Sequence, residues 1–130
     1  MSERANYATV NVGAQLGPEE FGLDLDWATN AGDATALHEF EVSTADPREA
    51  LVGVQAFDVE FYGHEIELNG DALSGFDIPP QEGWQYWVDT VAGASLRRGT
   101  NTVRIRRDRT TMDRFAIGTV VVHWKEPVEE

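Results

Sequence analysis

The chain has 130 residues, no cysteine and a formal net charge of −13, with 42% hydrophobic residues and four tryptophans. This composition excludes a disordered chain and any disulfide or thiolate chemistry. No apolar run approaches the ~20 residues of a membrane span and no secretory signal is visible, so we expect no membrane insertion. The length predicts a single domain over 1–130, with its core at about 5–125 and a frayed tail at 126–130.

The first predicted elements alternate apolar and acidic side chains with the period of a β-strand. The run FGLDLDW at 21–27 carries its apolar residues on one face and two aspartates on the other. The run HEFEV at 38–42 repeats this pattern with two glutamates. Both runs predict half-buried strands, and in the first of them Trp27 is expected to face the core.

The segment around these runs, DLDWATNAGDAT, is a candidate metal site because it holds several oxygen ligands. Ca²⁺ takes roughly 6–8 oxygens, so Asp24, Asp26 and Asp33 are the candidate ligands, with Asn30 beside them, for a structural calcium ion. The alternative is that they are ordinary surface acids, since the spacing lacks the EF-hand pattern. No other cofactor is expected.

Residues 51–70, LVGVQAFDVEFYGHEIELNG, predict a β-hairpin with its turn near Gly63. The alternation slips by one position between Val54 and Phe57, which predicts a β-bulge. His64 falls on an inward face, and we expect it to be a buried neutral histidine with a hydrogen-bond partner rather than a metal ligand. The pair Asn69-Gly70 at the end of the segment is a turn signal.

Three aromatic residues, Trp84, Tyr86 and Trp87, follow a loop predicted at 75–83. Flat rings stack on the apolar faces of sugars, so these residues are candidates for binding a glycan. Strand alternation sends Trp84 and Tyr86 to one face and Trp87 to the other, so at least one large ring should be exposed. The alternative is that one face packs in the core and a loop covers the other.

The remaining runs, NTVRIR at 101–106 and RFAIGTVVVHW at 114–124, also predict strands. The second run is apolar on both faces and should therefore be a central, buried strand. No helical period of useful length is present. The pattern predicts an all-β fold, an antiparallel β-sandwich or jelly roll of about eight strands.

The segments EIELNGDALSG, ASLRRGTNTVRIRR and DRFAIGTVVVHW resemble the galactose-binding-like jelly roll of carbohydrate-binding modules. The resemblance covers residues 37–125 and rests on structural positions: Asn69-Gly70, Leu96, Gly99 and Asn101. It implies a jelly-roll fold. It does not assign a ligand, because members of this group bind sugars or metal ions, contact other proteins or support a neighbouring domain.

Residues 97–114 are basic in an acidic chain, with seven Arg and two Asp and a local charge of +5. The candidate partner-binding arginines are Arg97, Arg98, Arg104, Arg106, Arg107 and Arg109. The nine Arg and one Lys of the chain, against 23 acids, predict a halophilic protein. We do not expect nucleic acid as a partner, because the other surfaces repel phosphate and salt weakens such contacts steeply.

Short-range contacts persist in high salt, so two interpretations of what the arginines bind remain. In the first, Arg104 and Arg106 pair across strands with Asp58, Glu60, Glu65 or Glu67 of the same domain. In the second, the arginines bind acids of another subunit, including another copy of this chain, or a carboxylated glycan.

The predicted function is a non-catalytic interaction module, a structural or assembly subunit such as a virion decoration or tail component in a halophilic system. The alternative is a carbohydrate-binding module that recognises a glycan through exposed aromatic rings. No GxSxG, P-loop or HExxH motif is present, so we do not expect an enzyme. The expected location is a high-salt cytoplasm or a virion or cell-surface assembly.

Overall fold

Two packed β-sheets make up the part of the protein that the computed structural model describes, residues 2–18 and 23–128. These ranges contain no helix, and so none that could span a membrane. Their strands are β1 (Ser2–Leu16), β2 (Thr29–Gly32), β3 (His38–Val42), β4 (Arg48–Val59), β5 (Glu65–Leu68), β6 (Asp71–Ala72), β7 (Gln81–Thr90), β8 (Gly99–Arg106) and β9 (Phe115–Val128).

The two sheets have five and four strands, in the orders β2-β1-β9-β4-β7 and β3-β8-β5-β6. Neighbouring strands are antiparallel except for β1 and β2, which are parallel. The predicted all-β sandwich is therefore confirmed. The sequence pattern did not reveal the longest strand, β1, because its first residues alternate weakly between polar and apolar side chains.

The core lies between the sheets and takes every second side chain from their inner faces. The largest fully buried side chains include Val52, Val54, Ile66, Leu68, Val103, Ile105, Phe115, Ile117 and Val120. Strand β9 lies between β1 and β4 in the five-stranded sheet. This position explains its apolar sequence and confirms the prediction of a central, buried strand.

The predicted hairpin over residues 51–70 is wrong, because β4 and β5 belong to different sheets. The connection near Gly63 crosses from one sheet to the other instead of joining paired strands. The predicted slip between Val54 and Phe57 is present as a register shift between Val54 and Ala56 in the pairing of β4 with β9. A second irregularity lies at Asp58, which has a φ of +56° and interrupts the pairing of β4 with β7. Phe57 therefore points away from the core, and Phe61 is exposed beyond the strand.

The predicted strand at 21–27 is also corrected. Residues 23–28 form a turn in which the Ala28 N–H donates to the Leu25 carbonyl, and Trp27 is 44% exposed. Aspartate has a low preference for strands, and two of them interrupt this run. Phe21 lies outside the described residues.

The C-terminal end does not fray where the sequence predicted it. Strand β9 continues to Val128, which pairs with Ser2. The Glu126 carboxylate is buried and accepts hydrogen bonds from Asn6, Ser43 and the Trp124 indole. Hydrogen bonds lower the pKa of Glu126 to about 2, and the one from Asn6 makes the largest contribution. Residues 129–130 lie outside the described part.

Candidate ligand-binding site

The outer face of the five-stranded sheet points away from the core, and among the described residues its centre carries no Asp, Glu, Lys or Arg. Directly paired residues share a face in an antiparallel sheet. Pairing therefore assigns to this face Tyr7, Thr9, Asn11, Leu51, Gly53, Gln55, Phe57, Trp84, Tyr86, Val88, Thr90, Thr119, Val121 and His123. A quarter of the chain is charged, so this uncharged surface is exceptional within the molecule.

The outer face of the four-stranded sheet has the opposite character. Its exposed positions are filled by charged residues and threonines: Glu39, Glu41, Glu65, Glu67, Arg104, Arg106, Thr100 and Thr102. Such a surface holds water and ions, whereas aromatic rings beside neutral polar groups suit an uncharged organic ligand. The two faces of the sandwich are therefore chemically distinct.

A cluster of aromatic rings borders a groove at one end of the uncharged face. The centroids of the Trp27 and Trp84 rings are 5.3 Å apart at an angle of 31°, and Phe57 lies 5.0 Å from Trp84. The groove between Trp27, Trp84, Gln55 and their neighbours has a volume of about 380 Å³. This volume lies within the usual range of about 300–1,000 Å³ for small-molecule sites.

Three polar side chains line the floor of this groove and hold each other in place. The Thr119 hydroxyl donates to Asn11 Oδ1 over 3.2 Å, and the Thr119 N–H donates to Gln55 Oε1 over 3.1 Å. Both side-chain amide oxygens are thus occupied. Within the described residues the amide nitrogens of Asn11 and Gln55 have no acceptor, so the groove offers hydrogen-bond donors to a ligand.

Gly118 keeps this groove open. A Cβ atom at this position would lie 2.4 Å from Gln55 Oε1 and 3.4 Å from the Trp84 ring. Any larger side chain would therefore displace the amide that lines the groove or the ring that borders it.

The aromatic residues predicted from the sequence divide between two faces as expected, and all three are exposed. Trp84 and Tyr86 lie on the uncharged face, and Trp87 lies on the opposite side of β7. The Tyr86 ring covers Gly53, where an added Cβ would lie 1.9 Å from the Tyr86 hydroxyl. Desolvation in this contact raises the pKa of Tyr86.

Three of the candidate arginines form ion pairs with acids of the same domain. Arg106 Nε lies 3.0 Å from Glu67, and Asp33 binds both Arg107 at 2.8 Å and Arg109 at 3.3 Å. Of the four acids that the sequence offered as partners for Arg104 and Arg106, Glu67 is the one that forms an ion pair in the described structure.

The other three candidate arginines have no ion pair with the described residues. Arg97 donates to the Thr100 carbonyl over 3.0 Å. Arg98 is exposed, and the Nε atom of Arg104 is buried without a hydrogen-bond partner. The charges of the basic stretch are thus partly paired within the domain, whereas Arg98 is exposed and has no ion pair with the described residues.

The three candidate calcium ligands are not gathered into a binding site. Asp24 and Asp26 are exposed on the turn that carries Trp27, whereas Asp33 is held by Arg107 and Arg109. Within residues 2–18 and 23–128, no group of three or more His, Cys, Asp or Glu side chains is placed to hold a metal ion.

His64 forms a cluster with two carboxylates. The residue types are those of a catalytic acid–base pair, but the histidine ring is not accessible to a substrate. Its Nδ1 lies 2.8 Å from Asp77 and its Nε2 lies 3.0 Å from Asp113, and the side chain is 1% exposed. Burial alone lowers the pKa of His64, but hydrogen bonds to Asp113 and Asp77 outweigh it, so the pKa is raised. These contacts favour the protonated ring more than water does, whereas the sequence predicted a buried neutral histidine with a hydrogen-bond partner.

Several residues of the groove were not found from the sequence. Asn11 and Thr119 lie on β1 and β9, 108 residues apart, and Gln55 lies on β4 between other strands. No motif connects these positions, because sheet pairing alone brings them together. Trp27 could have been suspected, since its neighbours Asp24 and Asp26 disfavour a strand.

Comparisons with known proteins identify a family and a fold. A sequence model of a family of unknown function, DUF7383, matches residues 4–126. No curated protein matches the chain. The crystal structure of the Podospora anserina GH26-CBM35 beta-(1,4)-mannanase is similar, with a TM-score of 0.55 and 13% identity. The similarity covers 95% of this chain but 28% of that chain, and at this identity it shows the fold alone.

Proposed function

The chain belongs to the DUF7383 family of unknown function, and from its own site we propose that it is a non-catalytic carbohydrate-binding module. The ligand is a neutral glycan that lies in the groove bordered by Trp27 and Trp84. The observation that carries this proposal is the pairing of these two exposed rings beside unoccupied amide donors. A sugar presents both an apolar face for the rings and oxygen acceptors for the amides.

Charge supports a neutral ligand over an anionic one. The described residues that line the groove include no Lys or Arg to bind a carboxylate or sulfate, and the chain as a whole carries −13. The similar fold in a mannanase that contains a carbohydrate-binding module agrees with such a role. The module needs no cofactor under this proposal, and the enclosed His64 cluster gives no support to catalysis.

A second candidate is an assembly subunit in a halophilic system, such as a virion decoration or tail component, in a high-salt cytoplasm or on a cell surface. The observation that favours it is the open edge of β7, a strand without a buried side chain. The acid-rich, lysine-poor composition supports the halophilic setting for both candidates.

Binding to soluble neutral polysaccharides tests the first candidate. Affinity electrophoresis and calorimetry with galactomannan, β-glucan and xylan should detect binding of the wild type to at least one of them. Trp84→Ala should weaken that binding about tenfold or more, the equivalent of about 1.4 kcal/mol, because the ring contact is lost.

Trp87→Ala is the matched control, because this ring lies on the same strand and is similarly exposed but points to the other face. It should leave the affinity unchanged. The proposal is wrong if none of these polysaccharides binds, or if both variants bind as the wild type does while melting at the same temperature.

A further inference from the structure

Strand β7 is an exposed edge of the five-stranded sheet. Not one of its ten residues is buried, and its exposed fractions include Trp84 50%, Tyr86 50%, Trp87 38% and Val88 40%. It pairs with β4 on one side, and none of the other described strands pairs with its second side. The N–H and C=O groups on that side form a template for another strand.

Protein edges are usually protected by lysine, proline or an inward-pointing charge. Between Gln81 and Thr90 there is no Lys, Arg or Pro. The inward-pointing charge, Asp89 opposite the core residue Val52, lies near one end of the strand, and Glu82 lies near the other. The middle of the edge is thus aromatic and aliphatic, which favours pairing over solvation.

The sequence of β7 is self-complementary in an antiparallel register centred on Tyr86. In this register Tyr86 lies opposite Tyr86 of a second copy, and Trp84 lies opposite Val88. Glu82 lies opposite Thr90 and Asp89 lies opposite Gly83, so no two acids face each other. A shift by one residue in either direction would turn the uncharged faces to opposite sides, and in one direction it would also place Glu82 against Asp89 of the second copy. The first register keeps both uncharged faces on the same side.

We propose that β7 pairs in this register with β7 of a second copy of the chain, so that the two five-stranded sheets become one continuous sheet. The proposal does not depend on glycan binding, because the Trp27–Trp84 groove stays open on the outer face. Pairing would place two such grooves side by side on one surface of the dimer.

Charged substitutions at Tyr86, the residue that lies opposite its own copy, test this register. Tyr86→Glu and Tyr86→Lys each place like charges opposite each other and should be monomers, whereas a one-to-one mixture should form a mixed dimer. Light scattering after size exclusion should give the wild type twice the 14.4 kDa mass of one chain. About 0.5 M KCl suits the experiment, since the Debye length falls from about 10 Å at 0.1 M to about 3 Å at 1 M.

Tyr7→Glu and Tyr7→Lys are matched controls, because Tyr7 is an exposed ring on the same face but on β1, away from the edge. Both should remain dimers. A monomeric wild type overturns the proposal. So does a mixture of the two Tyr86 variants that stays monomeric while each variant melts like the wild type.

Discussion

His64 contributes to stability only where its ring is protonated in the folded protein. Its folded pKa lies above the ordinary value of 6.5, so this contribution is fully present below pH 6.5 and is lost as the pH rises through the folded pKa. Burial raises the pKa of Asp77, but hydrogen bonds from the Gly63 N–H and from His64 outweigh it and lower the pKa below 3.8. The contribution of Asp77 is therefore lost at the acidic end, and the network is complete between pH 3.8 and 6.5.

Replacing His64 should destabilise the protein and remove part of its pH dependence. We expect His64→Gln to lower the free energy of unfolding by about 3 kcal/mol near pH 6, because Asp113 would be left buried without its charged partner. Urea unfolding between about pH 5.5 and 9 should show wild-type stability falling towards that of the variant.

His123→Gln is the control for this experiment, because His123 is half-buried and has no hydrogen bond to a carboxylate of the described residues. It should leave the pH dependence unchanged. A constant difference between wild type and His64→Gln over the whole pH range would contradict a charged His64.

The sequence indicated that His64 faces inward but not that its pKa is raised. Its partners Asp77 and Asp113 come from loops 13 and 49 residues away. The charge of a buried histidine depends on which groups meet its two nitrogens, and strand alternation carries no information about loops that fold back over the strand.

Two asparagines hold one turn of the four-stranded sheet together. Asn101 is fully buried, and its amide nitrogen donates to the carbonyls of Arg97 and Gly99 while its oxygen accepts from Arg97 N–H and from Asn69. Asn69 also binds the backbone of Thr102. These bonds give a physical reason for the residues that resembled the galactose-binding-like jelly roll: they fix the turn at 95–99 against β5 and β8.

Asn101→Ala should destabilise this element strongly. It removes the partner of buried backbone groups, each of which costs about 1–3 kcal/mol when left unsatisfied, so we expect a loss of about 3 kcal/mol in unfolding free energy. Thr102→Ala, next on the strand with its side chain outward, should cost less than about 1 kcal/mol. Equal losses for the two variants in urea unfolding would show that the network does not support the turn.

Regular alternation predicted the strands that have one face on the core, such as His38–Val42, Glu65–Leu68 and Gly99–Arg106. It failed where the chain leaves that pattern, at the turn that carries Trp27 and at the crossover near Gly63. Pairing between distant strands decides these features, because alternation specifies which side chains are buried but not which strands are neighbours.

Over the whole molecule, charge is distributed unevenly. The whole chain carries a net charge of −13, while among the described residues the centre of the five-stranded outer face has no Asp, Glu, Lys or Arg. Like charges repel over a distance that shrinks from about 10 Å at 0.1 M salt to about 3 Å at 1 M. Added salt should therefore stabilise the fold.

We expect the melting temperature to rise by roughly 10 °C between about 0.1 M and 2 M KCl, the equivalent of about 2–3 kcal/mol. A variant with four exposed acids replaced, Glu39→Gln, Glu65→Gln, Asp71→Asn and Glu82→Gln, changes the charge from −13 to −9. It should melt higher than the wild type in low salt and equally in high salt. A salt response that is the same for both proteins would point to a general salt effect rather than charge repulsion.

The amino-acid sequence by itself determined the β-sandwich, the buried central strand β9, the two faces of β7 and the acidic character of the chain. These properties depend on composition and on a period of two, which neighbouring residues already display. The tertiary structure alone decided that Asn11, Gln55, Thr119 and two tryptophans meet in one groove. It also paired Asp33 with arginines, and among the described strands it left the second side of β7 without a partner. Each of these outcomes depends on strand order, which brings together residues that are far apart in the chain.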